Sequence, residues 1–364
     1  MIRGLAARPE ILEIDASDPY RRGLIRGAQA RVGIHRAVEL YNQLFGSFGL
    51  EDATVRSDAL TALRVTEKWS PELAAEIEGT AIGAGLESWQ IAAVNARTEI
   101  LSQVLGARPG ECSAIATVKK HTVGAQTWDW HEELSESWHL QRISGTPVNS
   151  VGLTEFGILG KIGINSAGIG VMLNILGHVD DCPGGVPVHL ACARVLAECS
   201  TIDEASRMLS YAPVTTSSAI TVLSEDAAVT VELSPRGASI VEPSNGVLLH
   251  TNHFVTESLG KGEKPGLYEP DSQQRFALLS KRATTMTLTT PAELVSALCA
   301  HATDGAEICC HPEAGAVFGH RWSTLATITL EPSLRQMNAC MGGPAESSTR
   351  EWMRLEAFAG TDSD

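Results

Sequence analysis

A chain of 364 residues can hold two ordinary domains or one large layered one, and at 43% hydrophobic and 20% charged it has the composition of a folded globular protein. Its formal charge of −15, from 28 Lys+Arg against 43 Asp+Glu, argues against nucleic acid, whose phosphates need a basic footprint, and against anionic membrane surfaces. No stretch approaches the ~18 uninterrupted apolar residues of a spanning helix, and Pro9, Glu10, Glu13 and Asp15 stand where a signal peptide would need its apolar region, so the expected location is the cytoplasm.

The first 110 residues read as helical. Apolar positions recur at three and four in "RRGLIRGAQARVGIHRAVELYNQLF". In "SPELAAEIEGTAIGAG", Ser70 is a cap and Pro71 occupies the first helical position. "SWQIAAVNARTEILSQVLG" predicts another helix closed by Gly106, and "ARPGE" breaks the pattern with a loop at Pro109 and Gly110. After Cys112 the texture changes to short strands: "SAIATV", "HTVGAQTWDW", "SWHLQRIS", "PVNSVGLTEFGILG" and "GIGVMLNIL".

A helical pair follows in "VPVHLACARVLAEC" and "IDEASRMLS", where Thr201 and Glu204 fit a capping box. Strands return in "AITVLS", "AVTVELS" and "GVLLHTNHF". Two further helices are "DSQQRFALLSKRA" and "TPAELVSALCAHA", the second with Thr290, Pro291 and Glu293 in N-terminal positions. Strands close the chain in "STLATITLEP" and "RQMNACM", and the tail "AGTDSD" is expected to be disordered. Helices and strands alternate in blocks rather than as strict βαβ units, which predicts an α+β layered fold.

Eight cysteines, with no CxxC pair, predict free thiols in a chain without an export signal. Cys192 and Cys199 lie at helical spacing on an apolar face and read as core. "CCHPEAG" places Cys309, Cys310 and His311 together, but adjacent cysteines do not easily share one tetrahedral site, so no metal is assigned there. His189, His250, His253 and His320 read as core or pocket-wall histidines.

Four stretches combine with Cys112: "NARTEI" (95–100), "GINSAGIGVMLNIL" (163–176), "HTNHF" (250–254) and "DSQQR" (271–275). In this order and spacing they resemble the acyl-CoA:6-aminopenicillanic acid acyltransferase family, which includes β-alanyl-amine hydrolases of the carcinine type and belongs to the N-terminal-nucleophile hydrolases. The resemblance runs from "DPYRRGLIRGAQ" to "STLATITLEP", nearly the whole chain. It implies a four-layer αββα sandwich. It also implies self-scission between Glu111 and Cys112, giving a helical segment 1–111 and a segment 112–364 that together form one αββα domain.

The family's nucleophile matches Cys112. A thiol needs a base to become a thiolate, and an α-amino group titrating near ~7.7–8 can take that proton, so a free N-terminal cysteine supplies nucleophile and base together. By the same resemblance Asp129 in "TWDW" orients the amino group, Asn252 in "HTNHF" supplies an oxyanion-hole N–H, and Arg321 in "GHRWSTLATI" lies near the nucleophile. Relatives read "QNWDW" where this chain has Thr127, and "CRHP" where it has Cys310. Trp128, Trp130, His253, Phe254 and Trp322 flank these positions and are the candidate pocket wall; Asn165 in "GINSAG" reads as a turn residue.

The expected function is therefore a self-processing cysteine hydrolase that cleaves small N-acyl amides through a Cys112 thioester, without a cofactor. The alternatives are an acyl-CoA-dependent amine N-acyltransferase and an unprocessed, non-catalytic ligand-binding member. A papain-like protease pairing Cys112 with His250 or His253 would lack that family's local signature. The expected partners are a small amide substrate and the two fragments of the chain itself, with a higher homo-oligomer left open.

Overall fold

A computed structural model describes residues 8–104, 112–267 and 271–358. Glu111, the expected scission partner, lies outside the described residues, as do Gly106, Pro109, Gly110 and the tail after Phe358. The elements in chain order are β1 (Ile11–Asp15), α1 (Pro19–Gln29), α2 (Arg31–Ser47), α3 (Asp52–Trp69), α4 (Pro71–Ala84), α5 (Ser88–Asn95), α6 (Arg97–Leu101), β2 (Ala114–Val118), β3 (Thr122–His131), β4 (Trp138–Ser144), β5 (Ser150–Glu155), β6 (Ile162–Asn165) and β7 (Gly170–Ile175). They continue with α7 (Val188–Glu198), α8 (Ile202–Ser210), β8 (Ser218–Leu223), β9 (Ala228–Ser234), β10 (Gly237–Val241), β11 (Val247–His250), α9 (Glu257–Gly260), α10 (Asp271–Thr285), α11 (Pro291–Leu298), β12 (Trp322–Glu331), β13 (Gln336–Met341) and β14 (Trp352–Glu356).

The strands form two sheets, β1-β4-β5-β6-β7-β8-β9-β10 and β11-β2-β3-β12-β13-β14. Period-two alternation sends each strand's two faces to different cores. In the second sheet Ile115, Val123 and Ala125 pack outward on Leu279 of α10 and Leu294, Ala297 and Leu298 of α11. In the first, Val171, Leu173, Ile220, Val222, Val231 and Leu233 pack outward on Val188, Ala191, Cys192 and Val195 of α7 and Ala205 and Leu209 of α8. The opposite faces meet each other, joining Ala114, Ala116, Trp128, Ala326 and Ile328 to Leu153, Ile162, Met172 and Leu223. The order is helix, sheet, sheet, helix, which is the four-layer αββα sandwich. At Gly124 a Cβ would lie 2.5 Å from Leu223, so the sheets can approach there only because that side chain is absent.

The first 110 residues are not all helical. Ile11–Asp15 buries Leu12 and Ile14 and pairs in parallel with β4, from Ile11 opposite Leu140 to Asp15 opposite Ser144. The alternation in "ILEID" is a strand signal too short to stand out beside the long helices that follow it. Its consequence is that the segment before Cys112 contributes an edge strand to a sheet made otherwise from the segment after it. Two exposed or partly exposed strands, β10 and β14, also escaped the sequence reading; β10 has no buried residue and no hydrophobic face to reveal it.

The predicted caps form. Ser70 accepts from Leu73 N–H with Pro71 following, and Thr201–Glu204 and Thr290–Glu293 close capping boxes. Helices α1 and α4 pack backbone to backbone: a Cβ on Gly23 would meet the Glu76 carbonyl at 2.2 Å, and one on Gly79 the Tyr20 carbonyl at 2.1 Å. No helix among the described residues is long and apolar enough to cross a membrane.

Candidate active site around Cys112

The register of β2 and β3 places Cys112. Ala114 opposes Gln126, and one step back Thr127 N–H donates to Ser113 O (3.0 Å) while Ser113 N–H donates to Thr127 Oγ1 (3.1 Å). Continuing that register sets Cys112 across from Trp128, with both side chains on the face between the sheets and both in the same core. Thr127 thus fixes the residue beside the cysteine through its hydroxyl.

Both main-chain groups of Cys112 are gripped. Its N–H donates to Asn252 Oδ1 (2.9 Å), and its carbonyl accepts from Asn174 Nδ2 (2.9 Å) and Arg275 Nη1 (3.1 Å). Arg275 also donates to Ser113 Oγ (3.0 Å) and Asn252 Oδ1 (3.1 Å), while Asp271 holds its Nε (2.7 Å). The helix start "DSQQR" exists at this spacing because an i, i+4 pair on α10 aims the guanidinium inward. The thiol itself is buried, and burial pushes it up to about 12. The Asp129 carboxylate adds to that rise, and the Asp129 backbone N–H, Lys161 and Arg275 oppose it.

Behind Trp128 lies a buried charge network. Lys161 Nζ sits 3.5 Å from the centroid of the Trp128 ring and 3.0 Å from Glu155 Oε1. Glu155 also pairs with Arg97 (2.6 Å) and accepts from Tyr41 Oη, and Arg97 stacks 3.8 Å over Trp130, whose Nε1 donates to Tyr41 Oη (2.9 Å). Burial alone would raise Glu155, but Arg97 and Lys161 outweigh it and hold its carboxyl well below the usual range. Burial lowers Lys161 to about 8 despite Glu155. Tyr41 and Arg97 come from the segment before Cys112, Glu155 and Lys161 from the segment after it.

Of the expected site residues, Cys112, Asp129, Asn252 and Trp128 come together, and Trp130 lines the adjoining network. Asn252 is oriented differently from expectation. Two donors, Cys112 N–H and Arg275, face its oxygen and settle the amide's orientation, while its nitrogen donates to Ile175 O (2.9 Å). Its oxygen therefore holds the amino end of Cys112. Arg321 does not join the cluster: its side chain is 46% exposed and paired with Glu132. The arginine at Cys112 is Arg275, in a stretch already singled out for resemblance but not for this residue.

Trp322 packs on Trp130 and His131, one layer further out. Phe254 belongs to a small separate core with Leu176, Ala219 and Leu259. His253 Nδ1 bonds Ser272 Oγ (2.7 Å), and burial lowers it to about 4. His250 Nδ1 lies against Thr251 O (2.9 Å) and its Nε2 against Glu232 Oε1 (3.0 Å), so both ring nitrogens are engaged away from Cys112. That removes the papain-like pairing through His250. His189 is buried with Nδ1 at Asn95 O, and His320 packs on Phe48. Asn165 is structural, as expected: its oxygen accepts from Ala167 and Ile169, and its nitrogen ties the turn to the end of α7 at Leu196 and Cys199.

Lys161, Glu155, Arg97 and Asn174 were not read from sequence. Asn174 stands alone in an apolar run and Arg97 lies among the polar residues of "NARTEI", and only the signal of a charge at a position where a strand should be buried could have flagged Glu155 and Lys161.

The chain is 29% identical over 242 residues to the acyl-coenzyme A:6-aminopenicillanic-acid-acyltransferase 40 kDa form of Emericella nidulans, covering 65% of this chain and 67% of that protein. Among solved structures, penicillin V acylase from Agrobacterium tumefaciens is similar at 14% identity and a TM-score of 0.42, over 67% of this chain and 86% of that one. A variant of the conjugated bile acid hydrolase from Clostridium perfringens is similar at 12% identity and a TM-score of 0.45, over 70% of this chain and 100% of that one. The model of one family matches residues 117–346, a span that starts just past Cys112 and contains Asp129, Lys161, Asn252 and Arg275. The chain belongs to the acyl-coenzyme A:6-aminopenicillanic acid acyl-transferase family.

Proposed function

We propose that the chain is a self-processing cysteine amidohydrolase of small N-acyl amides, with Cys112 as nucleophile. In the first reaction the Cys112 sulfur attacks the Glu111 carbonyl carbon, the peptide C–N bond breaks, and the departing nitrogen takes up a proton. Water then hydrolyses the resulting thioester, leaving a carboxylate on Glu111 and a free amino group on Cys112. In each later turnover that amino group accepts the thiol proton, the sulfur takes the acyl group of the substrate amide, the amine leaves, and water releases the acid.

The observation that carries this reading is the grip on Cys112, whose nitrogen is held by Asn252 and whose carbonyl is held by Asn174 and Arg275. A catalytic atom must be held within fractions of an ångström, and hydrogen bonds to both main-chain groups do that. After scission the Asn252 oxygen suits an ammonium as it suited the amide, and the negative charge of Asp129, close enough to act on the thiol, favours an ammonium further. Before scission the Cys112 nitrogen is an amide and cannot take the thiol proton. Lys161, buried beside Trp128 and near 8, favours a thiolate at that stage by its charge.

The substrate is a small-molecule amide, and the partner of each fragment is the other one: β1 and the Arg97–Glu155 pair bind segment 1–111 to segment 112–364 without the peptide bond between them. The likeness to an acyltransferase named for acyl-coenzyme A favours a second outcome at the same thioester, its capture by an amine instead of water.

Intact mass under denaturing conditions with N-terminal sequencing tests the reading. Two species, one ending at Glu111 and one beginning at Cys112, are expected. A single full-length species that nevertheless turns over amides removes the self-processing step, and one that turns over none leaves a ligand-binding protein. Product analysis with an acyl-coenzyme A donor and an added amine separates transfer from hydrolysis.

A further inference from the structure

Outside the Cys112 region, three side chains that are not neighbours in any motif converge: the ligand atoms of Cys299, His301 and Cys309 all lie within 4.8 Å of one another. Cys299 ends α11, and the chain then turns through a short 3-10 segment, Ala302–Asp304, before coming back. The return is pinned by Ile308 and Cys309 N–H groups, both donating to the Ala300 carbonyl (3.1 and 3.0 Å). That pinning brings Cys309 beside Cys299. On the other side, His301 is held by its own N–H to Asp304 Oδ2 (2.9 Å), with its side chain at the surface. The tempting "CCH" run does not act as a unit: His311 faces Glu346 at 3.7 Å, and the Cys310 N–H donates to Thr324 Oγ1 (2.9 Å).

We propose that Cys299, His301 and Cys309 form a site for a thiophilic divalent cation, zinc in the first instance, with water in the fourth position. Two sulfurs and one imidazole are the donor set that tetrahedral zinc takes, and bonds of about 2.0–2.3 Å put such ligand atoms roughly 3.5–3.8 Å apart, which separations of 4.8 Å or less reach by a contraction of at most about 1.3 Å. Binding replaces the two thiol protons, which leave to solvent, so the dication, two thiolates and a neutral imidazole form a site of zero net charge. Arg282 fixes the backbone that presents Cys299, its guanidinium donating to the Ala297 and Cys299 carbonyls (2.7 and 2.9 Å). The buried Cys309 and the exposed His301 give the site a closed floor and an open mouth, which is an entry path for the ion.

The position has a structural consequence. Cys310 and Thr324 exchange backbone and side-chain hydrogen bonds, and Thr324 pairs with Asp129 at the place where the register of β12 shifts. A metal at Cys309 would therefore brace the strand that flanks Asp129, without touching the reacting groups.

The test uses the full-length, reduced protein stripped with a chelator and titrated with cobalt(II) alone. One equivalent is expected to give the visible bands of tetrahedral cobalt together with a thiolate-to-metal charge-transfer band, and zinc is expected to displace it. Cys299→Ser and Cys309→Ser are expected to abolish the charge-transfer band. His301→Ala, a change at an exposed side chain that leaves the core intact, is expected to weaken binding at least about tenfold with an unchanged circular dichroism spectrum. Cys182→Ser and Cys310→Ser are expected to retain the spectrum. An octahedral cobalt spectrum, binding indifferent to Cys299→Ser and His301→Ala, or loss of the spectrum in Cys310→Ser would each overturn the assignment. So would a mass two hydrogens lower, with no metal uptake, after exposure to air, because the two cysteines would then be a disulfide pair.

Discussion

Two buried arginine–glutamate networks join the N-terminal helices to the first sheet, and they differ in what they face. In one, Glu76 of α4 binds Arg22 (3.0 Å) and Arg26 (2.9 Å) of α1, and Arg26 reaches Gln141 of β4. This network borders a cavity of about 490 Å³ lined by Arg22, Glu76, Gln141 and residues of α7. In the other, Glu155 binds Arg97, Lys161 and Tyr41, and its members lie against Trp128 and Trp130, next to the nucleophile. The chemistry of the pairs is alike. What differs is that only the second has a cation whose charge is felt at the Cys112 thiol. Burial of ions is not in itself a mark of function; the group at the end of the network decides.

The largest effects should therefore fall along the second network and its neighbour Cys112. Cys112→Ala is expected to remain a single uncut chain and to lose at least about 10⁴-fold in kcat/KM, read by intact mass and by amide turnover. Arg275→Lys keeps a charge but cannot bridge Cys112 O, Ser113 Oγ and Asn252 Oδ1 at once, and is expected to cost about 10²–10³-fold. Arg321→Ala, at the exposed pair with Glu132, is expected to stay within about threefold of the parent. If the two arginine results were reversed, Arg275 would be only a structural tie.

Lys161→Met removes the cation while filling its volume. It is expected to lower activity by about 10–100-fold and to move the rise of the pH–rate profile to higher pH by about one unit, because the thiolate loses a stabilising charge. A uniform drop with no change in profile would mean that Lys161 matters for packing alone. Glu76→Ala makes the opposite comparison. Leaving Arg22 and Arg26 buried without their carboxylate is expected to cost about 3–5 kcal/mol in chemical denaturation, with kcat/KM within about threefold of the parent.

The same contrast explains how far the sequence could be read. Features set by local chemistry were legible: the caps at Ser70, Thr201 and Thr290, the turn role of Asn165, and the strand carrying Thr127 and Asp129. Features set by the meeting of distant segments were not. Glu155 and Arg97 are separated by 58 positions, and neither has a neighbour in sequence that announces the other. Arg275 stood inside a recognised stretch, yet only the approach of α10 to the start of β2 distinguishes it from an exposed helical arginine. Arg321 was the reverse case, since the resemblance implied an arginine near the nucleophile there, whereas its side chain lies in an exposed pair with Glu132. The Cys299–His301–Cys309 cluster was hidden because a loop closure, not a motif spacing, brings it together.

The smallest expected effect tests the comparison at its boundary. Glu99 of α6 stands two residues from Arg97 but is not bridged by it; its Oε1 accepts from Val188 N–H (2.9 Å) and Thr216 Oγ1 (3.1 Å). Burial pushes the Glu99 carboxyl up from 4.5 to about 7, against those two bonds and the charge of Arg97. The folded chain therefore holds this proton more tightly than the unfolded chain does. Its contribution to stability is fully present below 4.5 and is lost as pH rises toward 7, where a buried charge replaces a neutral acid. Glu99→Gln has the same shape and no charge to bury. Paired thermal melts should find parent and variant nearly equal at pH 5 and the variant a few degrees more stable at pH 8. A difference that does not grow between those pH values would mean that Arg97 stabilises an ionised Glu99 as it does Glu155, and the site's network would then be one carboxylate larger.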